Sequence, residues 1–233
     1  MSFLNRKNGL KKDGTQKELL EEARKIRLAK NMNKLGFIKK TLDKLYPNPQ
    51  APLNYTDAFS FLIAVVLSAQ CKDLVVNMVT PALMAAAPSP QEMAKLPEQK
   101  IYSLIKLCGL AKNKSRFIKE LSKIIVEKHG GKVPSSFEEL EALPGVGHKT
   151  ASVIMSHIFG VPAFPVDTHV HRLAYRWGLS DGSSVSQTEK DLKAVFPKKE
   201  WLKRHLQLTY YGREFCTARG HSLEKCVICN LLH

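Results

Sequence analysis

The sequence predicts an all-α fold. Three observations carry that expectation. Apolar residues recur three and four positions apart through most of the 233 residues. Many of the glycines and prolines fall between these stretches rather than inside them. No stretch sustains the apolar–polar alternation of a half-buried strand. At 44% hydrophobic residues, a chain of this length can bury one sizeable core or two small lobes.

The elements follow in order. Residues 1–15 are polar and basic, with too little apolar surface to fold alone. Residues 16–46 read as helix, with Leu19, Leu20, Ala23, Ile26, Leu35, Ile38, Leu42 and Leu45 at helical spacing and Gly36 as a candidate break. Tyr46 to Pro52 contains three prolines and reads as a linker. Helical stretches then fall at 56–70, 73–86, 90–96, 98–108, 112–130, 136–142, 148–159, 167–178, 186–196 and 198–212. Asp57, Asp73, Ser136, Asp167 and Ser186 stand where side-chain caps are expected.

Charge narrows the partners. The chain holds 36 Lys and Arg against 21 Asp and Glu, a net +15, and residues 1–50 alone contribute +8. Such an excess points to a polyanion: DNA, RNA or an acidic membrane surface. The most apolar run, Phe59 to Leu67, is far shorter than the roughly 18 residues that span a bilayer. The basic N-terminus lacks the apolar core of a signal peptide. A reducing compartment such as a bacterial cytosol is therefore expected, where five cysteines do not build a disulfide framework.

The densest chemistry lies at Leu143-Pro144-Gly145-Val146-Gly147-His148-Lys149-Thr150. The pattern reads as helix, glycine hairpin, helix. Backbone amides at such a turn and at the following helix N-terminus form an anion site without side-chain charge, which suits sequence-independent contact with a phosphate. A nucleotide P-loop is excluded, because His148 separates Gly147 from Lys149 and a charged helix rather than a strand precedes the turn. Taken alone, the motif fits equally a helix corner with a solvated lysine. His169 and His171, two apart on a helix, point to different faces and do not form a metal pair. Cys71 and Cys108 read as core thiols.

With Leu67-Ser68-Ala69-Gln70, Gly109-Leu110, the hairpin through Ala151, Val166-Asp167-Thr168-His169-Val170-His171-Arg172 and Gly212-Arg213 in this order and spacing, residues 33–229 resemble the endonuclease III branch of the helix-hairpin-helix DNA glycosylases. The resemblance implies a two-lobe all-α helix-hairpin-helix DNA glycosylase fold with a DNA cleft between the lobes. A continuous lobe, 51–161, would carry the hairpin; residues 33–50 plus 162–233 would form the other. Residues 1–32 would be a basic, partly disordered extension. It also implies a monomer acting on double-stranded DNA that carries a damaged base or abasic site.

The implied function is a bifunctional DNA glycosylase and apurinic/apyrimidinic lyase of base excision repair, removing oxidised pyrimidines. Lys149 stands at the position of the family's nucleophilic lysine. Its neutral amine would attack C1′ of the damaged nucleotide, form a Schiff base and cut the strand on the 3′ side by β-elimination. Asp167 matches the essential aspartate, assisting proton transfer or stabilising charge on the sugar; it also reads as a helix N-cap. Gln70 would fill the hole left by the flipped base, and Leu110 would wedge the opposite strand. Without the resemblance, Gln70 is a polar helix end and Leu110, ahead of Lys112, Lys114 and Arg116, a loop leucine packed on the core. Gly145, Gly147 and His148 would grip the backbone.

The family's C-terminal pattern is four cysteines, six, two and five residues apart, around a [4Fe–4S] cluster. Here Cys216 is followed after nine residues by Cys226 and after two more by Cys229, with no fourth cysteine through His233. Three readings fit: an iron–sulfur cluster with His221 or His233 as the fourth ligand, a zinc site, or no metal. Three other functions compete with the lyase. They are a glycosylase without lyase action, a non-catalytic helix-hairpin-helix module, and a basic RNA- or ribosome-associated protein.

Overall fold

The computed structural model describes residue 18 and residues 34–232. The N-terminal extension expected over 1–32 otherwise lies outside the described residues, as does His233. Helices are the only regular elements among the described residues: α1 (Lys34–Leu45), α2 (Ala58–Ser68), α3 (Asp73–Ala86), α4 (Pro90–Lys95), α5 (Glu98–Ile105), α6 (Ala111–His129), α7 (Phe137–Glu141), α8 (His148–His157), α9 (Thr168–Arg176), α10 (Val185–Val195), a 3₁₀ turn (Lys198–Glu200), α11 (Trp201–Glu214) and α12 (Val227–Leu232). No helix among them is long and apolar enough to cross a membrane.

The chain divides into two compact units, residues 51–165 and residues 1–50 with 166–233. In the first, α2 is the centre. Nine consecutive residues, Phe59 to Leu67, are buried, as expected of a helix apolar all round. Asp57 starts it with a capping box: Asp57 Oδ1 accepts from the Ser60 amide (2.8 Å), and Ser60 Oγ accepts from the Asp57 amide (3.0 Å). Helices α3, α6 and α8 pack around it. The amphipathic α6 buries Ala111, Ser115, Ile118, Leu121, Ser122 and Ile125. It ends at Gly130, whose φ of +59° lets the Gly131 amide return to the Ile125 carbonyl (2.9 Å).

In the second unit, α11 packs on α1 and α9, and α12 on α1. Arg204, 2% exposed, joins α11 to α1 by a two-pronged pair with Asp43 (2.9 and 3.1 Å). Gln207 donates to the carbonyls of Leu42 (3.2 Å) and Tyr46 (2.8 Å). Gly36 does not break α1, which runs through it. Two cap expectations are also corrected. Ser184, not Ser186, caps α10, its Oγ accepting from the Gln187 amide (3.0 Å). Asp73 is the first residue of α3 rather than its cap, and places a carboxylate in the first turn.

Candidate active site and metal centre

The hairpin is built by burial on one side and glycine on the other. Leu143 and Val146 are buried, and the Val146 amide closes the turn on the Leu143 carbonyl (3.1 Å). Gly145 has φ +79°, and a Cβ there would meet the ring of Phe117 at 3.0 Å. Both its conformation and its space therefore require glycine. Gly147 is the N-cap of α8, and no side chain caps that helix end. Its first-turn amides are thus of the kind that receive an external anion. Gly145, Gly147, His148 and Lys149 are exposed. His148 braces the two arms of the hairpin: its Nδ1 lies 2.7 Å from Glu141 Oε1, and its ring stacks on Phe137 at 5.7 Å. Lys149 occupies the first turn of α8.

Gln70 and Leu110 share a backbone signature that the sequence does not display. They are the non-glycine residues with positive φ among the described residues, +51° and +60°. Both are exposed, Leu110 at 52%. Left-handed backbone is costly for side chains of this kind and persists where the surroundings enforce it. Here the surroundings are one joint structure. A Cβ on Gly109 would lie 2.6 Å from the Gln70 carbonyl oxygen. Lys114, from the first turn of α6, donates to the carbonyls of Leu67 (2.8 Å) and Ala69 (2.5 Å). It thereby satisfies the C-terminal end of α2. It is 3% exposed, and burial pushes its ammonium below the ordinary lysine range. Lys114, counted in the sequence among a basic loop, is therefore a buried clamp. Behind both loops, burial and a hydrogen bond with Cys71 push the Cys108 thiol up to about 12.

In the other unit, Asp167 caps α9. Its Oδ1 accepts from the amides of His169 and Val170 (2.8 Å each), while Oδ2 accepts from Thr209 Oγ1 (3.1 Å). The carboxylate is thus fixed at a helix mouth. Burial lowers the pKa of His169 beside it, although Asp167 pulls the other way. His171 faces elsewhere, with Nδ1 at 2.8 Å from Thr188 Oγ1. Helices α9 and α11 cross closely, since a Cβ on Gly212 would meet His169 Cβ at 2.9 Å. Arg172 spans the crossing, donating to the carbonyls of Gly212 and Cys216 (2.8 Å each).

Arg172 leads to a cluster. Cys216, His221, Cys226 and Cys229 each place a donor atom within 4.8 Å of the others. The three thiols are buried. Arg176 Nη1 donates to Cys216 Sγ (3.3 Å), and Tyr211 Oη lies 3.5 Å from Cys226 Sγ. Hydrogen bonds from Cys226, Cys229 and Arg176 hold the Cys216 thiol far below its ordinary value despite its burial. This donor set is compatible with a metal centre.

Residues 63–198 match the family described as HhH-GPD superfamily base excision DNA repair protein. Endonuclease III of Bacillus subtilis is 38% identical over 202 residues, covering 86% of this chain and 92% of that protein. The chain belongs to the endonuclease III family. Endonuclease III of Escherichia coli is 39% identical over 182 residues, covering 78% of this chain and 86% of that protein. Among solved structures, a non-covalent endonuclease III–DNA complex superposes with a TM-score of 0.82 at 37% identity, over 87% of this chain and 96% of that one. A trapped endonuclease III–DNA covalent intermediate gives 0.80 at 37% identity, over 86% and 96%. A thermostable thymine-DNA glycosylase, 22% identical with a TM-score of 0.73, shares the fold.

Proposed function

We propose that Lys149 is the nucleophile, and Asp167 its electrostatic partner, in a DNA glycosylase that removes oxidised pyrimidines and cuts 3′ to the resulting abasic site. The protein is a DNA glycosylase and abasic-site lyase of base excision repair. What supports the residue assignments is one coincidence of position. The lysine stands in the first turn of α8, directly after an uncapped glycine hairpin, and Gln70 and Leu110 alone among described non-glycine residues adopt left-handed backbone.

The hairpin amides hold a phosphate, and Gln70 and Leu110 occupy the space of the extruded nucleotide and part the opposite strand. Lys149 Nζ, having lost a proton, forms a bond to C1′ as the glycosidic bond breaks. The base departs with the bonding electron pair and takes up a proton. Opening of the sugar at the C1′–O4′ bond leaves an iminium between Lys149 and C1′. Loss of a C2′ proton expels the 3′ phosphate, and water then hydrolyses the imine to free the lysine. Asp167 balances positive charge on the sugar during departure of the base and assists proton movement from the lysine. The metal-compatible cluster takes no part in these steps.

Borohydride added during reaction with an abasic-site duplex reduces the iminium and leaves the protein covalently bound to DNA. The expected result is an adduct in wild type that vanishes in Lys149→Ala. A folded, DNA-bound wild-type protein that gives no adduct rejects the lyase reading. An adduct that survives in Lys149→Ala rejects this lysine.

A further inference from the structure

We infer that Cys216, His221, Cys226 and Cys229 hold a single tetrahedral zinc ion, in place of the four-thiolate iron–sulfur cluster that the family resemblance implies. The inference does not depend on the lyase assignment.

Distance favours the single ion. A tetrahedral ion bonded to sulfur at about 2.3 Å and imidazole nitrogen at about 2.0–2.1 Å sets neighbouring donors about 3.5–3.8 Å apart. A [4Fe–4S] cube has four irons between its ligands, and its four thiolate sulfurs stand about 6 Å apart. Here Cys216 Sγ and Cys229 Sγ are 3.7 Å apart, and all four donors lie within 4.8 Å of one another. These separations are nearer to the spacing around one ion than to that around a cube.

Donor chemistry agrees. The spacing is Cys-x4-His-x4-Cys-x2-Cys, a Cys₃His set of the kind that closes structural zinc sites. The Nε2 of His221 is inaccessible to solvent and has no hydrogen-bond partner among the described residues. A buried nitrogen without a partner is costly unless something else satisfies it. Three thiolates and a neutral imidazole around a divalent cation carry one net negative charge. Arg176, donating to Cys216 Sγ (3.3 Å), and Arg172, donating to Cys216 O (2.8 Å), face that charge. The ion would staple the start of α12 to the end of α11. Through the two arginines, it would also fix the loop against α9, whose N-cap is Asp167.

The test uses the full chain, produced in cells supplied with both iron and zinc and purified without oxygen under reductant. The expected preparation is colourless, with one zinc and no iron per chain. Iron at any stoichiometry, or a reduced protein that takes up no zinc, overturns the inference. Cobalt then reports the ligands. Replacing zinc by cobalt should give the intense visible bands of a tetrahedral ion with thiolate-to-metal charge transfer. In His221→Cys the charge-transfer intensity should rise by about one third, as three thiolates become four. In His221→Ala, cobalt should be stripped far faster by a competing chelator. If His221→Ala does not fold, the cysteine variant alone decides: an unchanged spectrum there removes His221 from the site.

Discussion

Gly109 and Gln70 belong to different loops, yet a Cβ on Gly109 would lie 2.6 Å from the Gln70 carbonyl oxygen. The two loops are therefore a single joint. Substitution Gly109→Ala must push backbone against backbone, at a cost of about 1–3 kcal/mol, and it moves Gln70 and Leu110 together. Base excision from a duplex should fall by about tenfold or more, since about 1.4 kcal/mol in the barrier is a factor of ten. Strand cutting at a preformed abasic site needs no base to be extruded and should fall much less. Equal losses in the two assays would show that the joint does not act on flipping.

Lys114 is the other half of that joint. Replacing it by Met keeps most of the buried stem but leaves the carbonyls of Leu67 and Ala69 without their donor. The expected destabilisation is about 1–3 kcal/mol, read by urea denaturation. By the basic-loop reading of the sequence, the same variant would lower DNA affinity and leave stability unchanged. A stability within about 0.5 kcal/mol of wild type rejects the clamp.

Lys114 also shows where the sequence was legible and where it was not. The longer helices follow the apolar period closely, because most bury a stripe that recurs every three to four residues; α2, buried all round, shows instead as an unbroken apolar run. Lys114 falls on that stripe in α6, between Ala111 and Ile118, yet its charge suggested solvent; periodicity was the better guide. Helix α12 spans six residues, too few to establish a period. The left-handed backbone at Gln70 and Leu110 left no trace, since neither is glycine, and only the family resemblance marked them. The sequence left His221 and His233 as alternative fourth ligands; folding brings His221 to the three cysteines, and His233 lies outside the described residues.

Asp43 gives a pH signature. Burial alone would raise its pKa, but hydrogen bonds from Arg204, Lys203 and Gln207 bring it down to about 2. The unfolded carboxyl titrates near 3.9, so between these values the unfolded chain binds the proton more readily. The contribution to stability is therefore complete above about pH 4 and is lost as the pH falls towards 2. Because Asp43 is partly exposed, Asp43→Ala should cost only about 1–2 kcal/mol at neutral pH. Urea melts across this range should show the gap between variant and wild type closing below pH 4. A constant gap would mean that packing, not charge, is what the substitution removes.

Asp167 carries both a structural and a chemical assignment, and two substitutions separate them. Its Oδ1 accepts from two helix amides and Oδ2 from Thr209. Asn keeps an oxygen for the amides and is as good an N-cap as Asp, so Asp167→Asn should change stability by only a few tenths of a kcal/mol. Asp167→Ala loses the cap and should cost about 1 kcal/mol. In catalysis the two should converge. Both remove the negative charge and the proton acceptor, and excision in single-turnover kinetics should fall by about 10²–10⁴-fold in each. Recovery of activity in the asparagine variant alone would mean that Asp167 acts only by starting α9. The charge balancing would then have to come from another group.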